Sequence, residues 1–211
     1  MVAIAQICKD SYIDKMEIIK RFVVFEGGDG SGTSTQIELL RGKPGIWTTC
    51  EPTDGPIGRI IRSTLRGETA LRPETLALLF TADRTEHLFA KNGVIDHCNR
   101  GEIVVSDRYT LSSLVYQGIL CGDLPSVLNK NFPLPELLFL FDIDPRIAAR
   151  RIENRSAREI YEYFEFQERV RERYKTLAPQ WRQEGVRVAV IDASNPIATV
   201  AKEIAQEIDA L

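Results

Sequence analysis

The chain has 211 residues and a formal net charge of −3; 44% of its residues are hydrophobic and 27% are charged. This length suits one α/β domain or at most two small ones, with a core large enough to fold without a disulfide or a metal. The slightly negative charge excludes a global basic field for a nucleic acid polymer or an acidic membrane.

The start of the chain and its cysteines indicate the compartment. No apolar run reaches the roughly 18 residues that a membrane span needs, and the start lacks the basic region of a signal peptide. The four cysteines are scattered, without a C-x-x-C pair. We therefore expect a cytoplasmic protein. The first strand is expected near Arg21, so we predict a poorly ordered N-terminal extension over residues 1–19, with Met1 or Met16 as the start, and a single domain over 20–211.

Apolar runs and helical spacings alternate along the chain. Strands are predicted at 21–25, 46–49, 102–106, 137–142 and 186–191. Helical patterns cover 34–42, 57–66, 74–91, a stretch from about Leu111, 145–178 and 196–209. Continuous apolar strands between helices indicate an α/β fold with a parallel sheet covered on both faces. Such sheets bind ligands at the carboxyl ends of their strands.

A glycine-rich segment, residues 27–35, follows the first predicted strand and is called the phosphate loop below. Its glycines match the spacing of the motif G-x-x-x-x-G-K-[ST], which lies between a strand and a helix. Such a loop turns main-chain N–H groups toward a phosphate. A plain glycine-rich turn is the alternative. The predicted phosphate-binding residues are Gly27, Gly28, Asp29, Gly30, Ser31, Gly32, Thr33, Ser34 and Thr35.

The phosphate loop departs from the motif at Thr33, which stands where a lysine is expected. That lysine normally carries a positive charge to the terminal phosphates. Loss of one oriented electrostatic group commonly costs about 10²–10³ in rate. The sequence leaves two interpretations open: another cation enters the site, or catalysis is weak or absent.

Polar side chains follow the strand predicted at 102–106. Asp107 and Arg108 come directly after it, and Ser113, Tyr116 and Gln117 then recur at helical spacings, so these three share a helix face. The position is the ligand-binding edge of the predicted sheet. A structural ion pair between Asp107 and Arg108 is the alternative interpretation.

A second helix face carries Phe80, Arg84 and His87. An aromatic ring with an arginine one turn away can stack on a nucleotide base and hydrogen-bond its edge. Taken alone, Phe80 is more typical of a core residue than of a ring that stacks on a base.

The chain contains five characteristic segments in this order: FEGGDGSGTSTQ, EPTDGPIGRIIR, LLFTADRTEH, SDRYTLSSLVYQG and RIENRSAREIYEYFEFQERVRERYKTL. Together they closely resemble the thymidylate kinase family. The resemblance runs from about Lys20 to the C-terminus. It implies a three-layer P-loop nucleoside-monophosphate kinase fold over 20–211, with a five-stranded parallel sheet and a helical lid at about 150–162. The implied reaction transfers the γ-phosphate of ATP to dTMP with Mg²⁺, giving dTDP and ADP, and the implied assembly is a homodimer.

The resemblance also implies roles for single residues. Asp29 is similar to a family carboxylate near the substrate's 3′-hydroxyl and phosphate. Phe80 resembles the ring that stacks on thymine, and Arg84 the donor to its O4 atom. Arg108 resembles the arginine that grips the dTMP phosphate and bridges toward ATP. Asp107 resembles the acidic residue near the metal and the phosphates, with Ser34 as the second metal ligand.

Further positions match the family's nucleoside pocket. Ser113 and Gln117 match residues near the base, and Tyr116 matches the aromatic side chain that favours deoxyribose. Glu51 and Pro52 match the loop after the second strand. The family often has arginine before this Glu-Pro pair, and Arg59 or Arg62 would replace its phosphate contacts here, since residue 50 is cysteine.

Lid arginines are the predicted answer to the missing lysine. Some thymidylate kinases carry a catalytic arginine in the phosphate loop, at the position of Gly30, and others carry it in the lid. The chain resembles the second group, so Arg155 and Arg158 are predicted to be catalytic together with Arg108. Two alternatives remain: a weak or inactive nucleotide-binding protein of the same fold, or a kinase for another deoxynucleotide or for a deoxynucleoside.

Overall fold

The computed structural model describes residues 17–152, 161 and 163–211. Within these residues, five strands form one parallel sheet in the order β2-β3-β1-β4-β5. The strands are β1 (Ile18–Gly27), β2 (Ile46–Cys50), β3 (Ile103–Asp107), β4 (Leu134–Asp142) and β5 (Arg187–Asp192). The five-stranded parallel sheet predicted from continuous apolar runs is confirmed.

Helices connect the strands. They are α1 (Thr33–Leu40), α2 (Pro56–Leu65), α3 (Pro73–Phe89), α4 (Val94–Asn99), α5 (Thr110–Cys121), α6 (Leu124–Asn129), α7 (Pro145–Ile152), α8 (Phe164–Gln183) and α9 (Ile197–Ile208). The helical stretch predicted over 145–178 contains α7 and the first part of α8, and residues 153–160 and 162 between them lie outside the described residues. The sequence patterns did not predict α4 and α6.

Strand β1 begins at Ile18, before the predicted start at Arg21. The residues before Arg21 pair with β4, which explains the early start. Ile18 pairs with Leu134, and the N–H of Leu134 donates to the carbonyl oxygen of Glu17 at 2.9 Å. The pairing register then shifts around Arg21, which has a φ of 63°. The expected boundary between extension and domain therefore falls inside a strand, and residues 1–16 lie outside the described residues.

Helices cover both faces of the sheet, which gives three layers. One face packs β1 and β3 against α1 and α9 through Val23, Phe25, Val105, Ile37, Leu40 and Ile204. The other face packs against α2, α3, α5 and α8 through Phe22, Val24, Ile61, Leu88, Val115 and Tyr174. Among the described helices, none combines the length and apolar composition that a bilayer crossing needs.

Candidate active site

A cavity of about 560 Å³ opens at the carboxyl ends of β1, β2 and β3. Its size suits a small-molecule ligand, and its place is the one expected for a parallel sheet. It is lined by most of the side chains that the sequence predicted: Asp29, Ser34, Glu51, Pro52, Phe80, Arg84, Asp107, Arg108, Ser113, Tyr116 and Gln117. The predicted residues from four distant segments therefore meet in one place.

The phosphate loop connects β1 to α1 as a compact turn. The N–H of Ser31 donates to the carbonyl oxygen of Gly28 at 3.1 Å, and Gly32, with a φ of 95°, precedes the first turn of α1. No side chain in the described part of the chain caps this helix, so the first-turn N–H groups are available to an anion. A Cβ atom on Gly27 would lie 2.9 Å from the carbonyl oxygen of Phe141, so only glycine fits there.

The backbone conformation and surroundings of Gly30 leave no room for an arginine at that position of the phosphate loop. Its φ of 82° lies in the left-handed region, and a Cβ atom on it would lie 2.7 Å from the carbonyl oxygen of Ala148 in α7. Side chains at this position would therefore be strained and would collide with main chain.

Ser34 and Asp107 meet beside the phosphate loop. The hydroxyl of Ser34 donates to Oδ2 of Asp107 at 2.7 Å. The other carboxylate oxygen of Asp107, Oδ1, is buried without a hydrogen-bond partner in the described part of the chain. A buried carboxylate oxygen without a partner suggests a missing ligand, and oxygen ligands are the ones that Mg²⁺ prefers. The two residues thus fit a magnesium site.

Arg108 connects the phosphate loop to the cavity. Its N–H donates to the carbonyl oxygen of Phe25 at 2.8 Å, and its φ of 71° turns the chain sharply after β3. Its guanidinium Nη2 lies 2.5 Å from Oδ1 of Asp29, and Nη1 donates to the carbonyl oxygen of Gly27 at 3.2 Å. The same guanidinium lies 4.9 Å from the ring centre of Tyr116. One cation therefore touches both the phosphate loop and the cavity wall.

Arg84 lies at the centre of a buried polar network. Its side chain is 1% exposed and that of Glu51 is 2% exposed, and Nη2 of Arg84 lies 2.7 Å from Oε2 of Glu51. The other Glu51 oxygen lies 3.0 Å from Nδ1 of His87. Burial raises the pKa of Glu51, but the charge of Arg84 and the hydrogen bond of His87 outweigh it and hold that pKa below its ordinary value.

The network continues to the residues predicted near the base. Nη2 of Arg84 donates to Oγ of Ser113 at 3.0 Å, and Nη1 donates to Oδ1 of Asn129. Oε1 of Gln117 is buried without a partner in the described part of the chain, and the half-buried ring of Phe80 lines the same cavity. Glu51 is thus a partner of Arg84, which it holds against the cavity wall.

The loop after β2 is held by residues that sequence reasoning did not select. Asp83 accepts hydrogen bonds from the N–H and the hydroxyl of Thr53, both at 2.7 Å. Of the two arginines considered for this loop, Arg62 lines the cavity, lies 3.3 Å from Sγ of Cys50 and donates to the carbonyl oxygen of Pro52. Burial raises the pKa of the Cys50 thiol, which is therefore neutral at neutral pH.

Gln167 of α8 is a second unpredicted site residue. Its amide nitrogen donates to Oδ2 of Asp29 at 2.7 Å, and its amide oxygen accepts from the N–H of Asp29 at 3.0 Å. The residue lies in a densely charged helix, and no sequence pattern distinguishes it. Its contacts fix the phosphate loop to the helix that follows the predicted lid.

One described lid arginine lies near the phosphate loop. Nη1 of Arg151 in α7 lies 4.0 Å from the position that a Cβ atom on Gly32 would take. The predicted catalytic arginines Arg155 and Arg158 lie outside the described residues, as does most of the lid predicted at about 150–162. Arg151 is therefore the described lid arginine whose distance to the phosphate loop is known.

Comparison with known proteins decides the family. A family profile described as thymidylate kinase matches residues 25–204 of the chain. The chain belongs to the thymidylate kinase family. The resemblance inferred from five sequence segments is confirmed, and so is the P-loop nucleoside-monophosphate kinase fold that it implied.

Relatives in this thymidylate kinase family come from bacteria and archaea. The chain is 43% identical over 197 residues to a protein of Treponema pallidum, covering 90% of this chain and 95% of that protein. It is 42% identical over 188 residues to a protein of Pyrobaculum aerophilum, covering 88% of this chain and 94% of that protein. Both relatives are named, provisionally, as thymidylate kinases.

Proposed function

We propose that the protein transfers the γ-phosphate of ATP to dTMP, giving dTDP and ADP for dTTP synthesis. The observation that carries this proposal is the position of Arg108, whose guanidinium contacts Asp29 of the phosphate loop and the Tyr116 ring of the cavity. A cation between two phosphate-binding regions is what transfer between two nucleotides requires, because this chemistry depends on positioning and charge stabilisation.

Each nucleotide has a place in this proposal. The main-chain N–H groups of the phosphate loop hold the polyphosphate of ATP. The cavity holds dTMP, with thymine on the ring of Phe80 and its O4 atom toward Arg84. Tyr116 crowds the 2′ position of the sugar, which favours deoxyribose. Asp29 orients Arg108 and faces the sugar and phosphate of dTMP.

Asp107 and Ser34 would hold Mg²⁺ in the proposed site. The partnerless Oδ1 of Asp107 and the neighbouring hydroxyl of Ser34 fit the few protein ligands that this ion takes when phosphates supply the rest. The ion supplies positive charge to the phosphates when bound. Until then, Ser34 donates to Asp107 and holds its carboxylate in place.

Acceptor specificity tests the proposed reaction. Purified protein is mixed with ATP and Mg²⁺ and, in separate reactions, with dTMP, dUMP, dCMP, dGMP, AMP or thymidine, and ADP formation is measured. Turnover with dTMP and not with AMP or thymidine supports the proposal. Turnover of another acceptor alone contradicts it, and nucleotide binding without turnover would favour an inactive nucleotide-binding protein.

Changing Thr33 to lysine is expected to tighten ATP binding about tenfold, because the ammonium group would add the charge that the motif normally provides. Isothermal titration with an ATP analogue measures the Kd, and steady-state assays measure kcat. The matched control is Leu39→Lys, which adds an ammonium group at an exposed position of α1 outside the phosphate loop. If Thr33→Lys lowers both affinity and kcat, the phosphate loop is built around threonine and the proposed alignment of the motif is wrong.

Changing Arg151 to alanine is expected to lower kcat/KM for ATP about 10²-fold, because its guanidinium lies close to the phosphate loop that lacks a lysine. Steady-state assays with varied ATP at saturating dTMP measure this loss. Arg150→Ala is the control, since it removes the same charge from an exposed neighbour on the same helix. Equal effects of the two changes would show that only the charge of α7 matters.

The remaining parts of the proposal concern the lid, the chain start and the assembly. Arg155 and Arg158 are proposed to approach the phosphates together with Arg108, and residues 1–16 are proposed to lie outside the kinase domain. A homodimer is proposed because the described part of the chain exposes large apolar side chains on neighbouring helices. They are Leu78 and Phe89 of α3, Leu120 of α5 and Val127 of α6.

A further inference from the structure

Glu26 is a buried carboxylate directly before the phosphate loop. Its side chain lies near the end of β1, and the residue is 0% exposed. Oε1 accepts hydrogen bonds from the N–H groups of Tyr109 and Ser112, at 2.9 and 3.2 Å. Oε2 accepts from the hydroxyls of Ser112 and Tyr174, at 2.5 and 2.8 Å. Four donors thus converge on one carboxylate, which suits its ionised, acceptor-only form.

These donors belong to the elements that assemble the active site. Tyr109 and Ser112 lie at the start of α5, directly after Arg108, and Tyr174 lies in α8, the helix that follows the lid. Nη1 of Arg108 lies 3.3 Å from the Ser112 hydroxyl, which in turn donates to Glu26. One hydroxyl therefore separates Glu26 from the guanidinium that contacts the phosphate loop.

Glu26 is fully buried and is not among the described residues that line the cavity, so it lies outside the proposed nucleotide sites. An ionised carboxylate at full burial costs stability, and a carboxamide or apolar side chain would avoid that cost. Its place behind Arg108 indicates what it does. The charge attracts the guanidinium, and the four hydrogen bonds fix the turn that aims it.

We propose that ionised Glu26 is a positioning residue that holds Arg108 and the first turn of α5 in the geometry needed for phosphoryl transfer. The inference rests on the proposed kinase function and extends it, because it makes the rate depend on the ionisation of a residue that touches no substrate. Protonation of Glu26 places an O–H group against converging donors, which breaks at least one of these hydrogen bonds and loosens the Ser112 hydroxyl that contacts Arg108.

The groups around Glu26 place this ionisation near neutral pH. Burial raises the pKa of Glu26 to about 7, against the lowering effect of the Ser112 and Tyr174 hydrogen bonds and the charge of Arg108. Burial also raises the pKa values of Tyr109, Tyr116 and Tyr174, so these phenols stay neutral across the range. On β4, the paired neighbour of Glu26 is the apolar Leu140.

The sign of the effect follows from the direction of this shift. Above about pH 7 Glu26 is ionised and Arg108 is held in place, so kcat is at its plateau. Below that pH Glu26 takes up a proton, and kcat falls while KM for dTMP changes little. The fall of kcat on the acid side of its pH profile is called the acid limb below. A residue with only a structural role would not place an acid limb at this pH.

The experiment measures kcat and KM for dTMP from about pH 5.5 to about pH 9, in wild type and three variants. Glu26→Gln cannot ionise, so we expect a kcat about tenfold or more below the wild-type plateau and no acid limb near neutrality. Tyr174→Phe removes one donor from the carboxylate, so we expect the limb to move to higher pH by about one unit. Glu207→Gln, on the distant α9, is the control and should keep the wild-type limb.

Two results would overturn the inference: an acid limb that persists in Glu26→Gln, or a limb in Tyr174→Phe that coincides with that of wild type. A wild-type protein without dTMP turnover at any pH contradicts the proposed function instead, so the two failures are distinct. Thermal unfolding gives a readout besides activity. Because the folded-state pKa is raised, the Tm of wild type should fall relative to that of Glu26→Gln as pH rises from 4.5 to about 7.

Discussion

Changing Arg108 to alanine is expected to lower kcat for dTMP phosphorylation by about 10³-fold. In a phosphate loop with Thr33 in place of lysine, Arg108 is the described cation that contacts both Asp29 and the cavity wall. Its removal takes away charge stabilisation at the point where the two nucleotides meet. Steady-state ADP formation with both substrates at saturation measures the loss.

The control for this change is Arg187→Ala. Arg187 lies in β5 and forms an exposed ion pair with Glu207 at 2.7 Å, far along the sheet from the phosphate loop. This variant should keep wild-type kcat. An Arg108→Ala variant within about tenfold of wild type would contradict the central role given to this residue. Circular dichroism of both variants separates loss of catalysis from loss of fold.

Changing Glu51 to glutamine is expected to lower the free energy of unfolding by about 3–5 kcal/mol. The side chains of Glu51 and Arg84 are 2% and 1% exposed, so the variant leaves a guanidinium charge buried without its counter-charge. Urea unfolding followed by circular dichroism measures the change as a lower midpoint at an unchanged slope. The loss is a large fraction of the roughly 5–15 kcal/mol that typically stabilises a folded protein.

Glu207→Gln is the matched control, because it removes one partner of an ion pair whose side chains are 42% and 43% exposed. Its expected cost is below about 1 kcal/mol, since exposed pairs are screened by water and salt. The pKa of Glu51 is held low, so the stability difference between wild type and Glu51→Gln should persist above pH 4.5 and shrink as pH falls further. Equal losses in the two variants would show that Arg84 is not paired in a buried network.

Most of the fold could be predicted because its signals are local. The apolar run LLFLFD in β4 and the run FVVF in β1 each bury both faces, as strands inside a covered parallel sheet do. The early start of β1 was missed, because the pairing of Ile18 with Leu134 joins residues that are far apart in sequence. The helices α4 and α6 have six residues each, too few to show a 3.6-residue period.

Some residues of the candidate site could also be predicted from local sequence signals, and others could not. Ser34, Asp107 and Arg108 could be selected because they follow strands at a motif's spacing, and the structure brings them together. The pairing of Glu51 with Arg84 could not be predicted, because it joins the loop after β2 to α3 through side chains whose directions depend on packing. Glu26 carried no signal beyond its place at the end of β1.

The structure gives a physical context for Gly30 and Thr33 of the phosphate loop. Gly30 has a positive φ and lies against Ala148, so an arginine has no room in this phosphate loop. In the proposed reaction, the compensating cation comes from outside the loop, from Arg108 or from lid arginines such as Arg151. Thr33 itself is buried at the first position of α1.

The central proposal for this protein is transfer of phosphate from ATP to dTMP at a phosphate loop without its lysine. Full-length protein, ATP labelled on the γ-phosphate, Mg²⁺ and dTMP are mixed, and the labelled products are separated by chromatography. We expect the label to move into dTDP and Arg108→Ala nearly to abolish this transfer. Label that stays in ATP, or that appears only in inorganic phosphate, would contradict it.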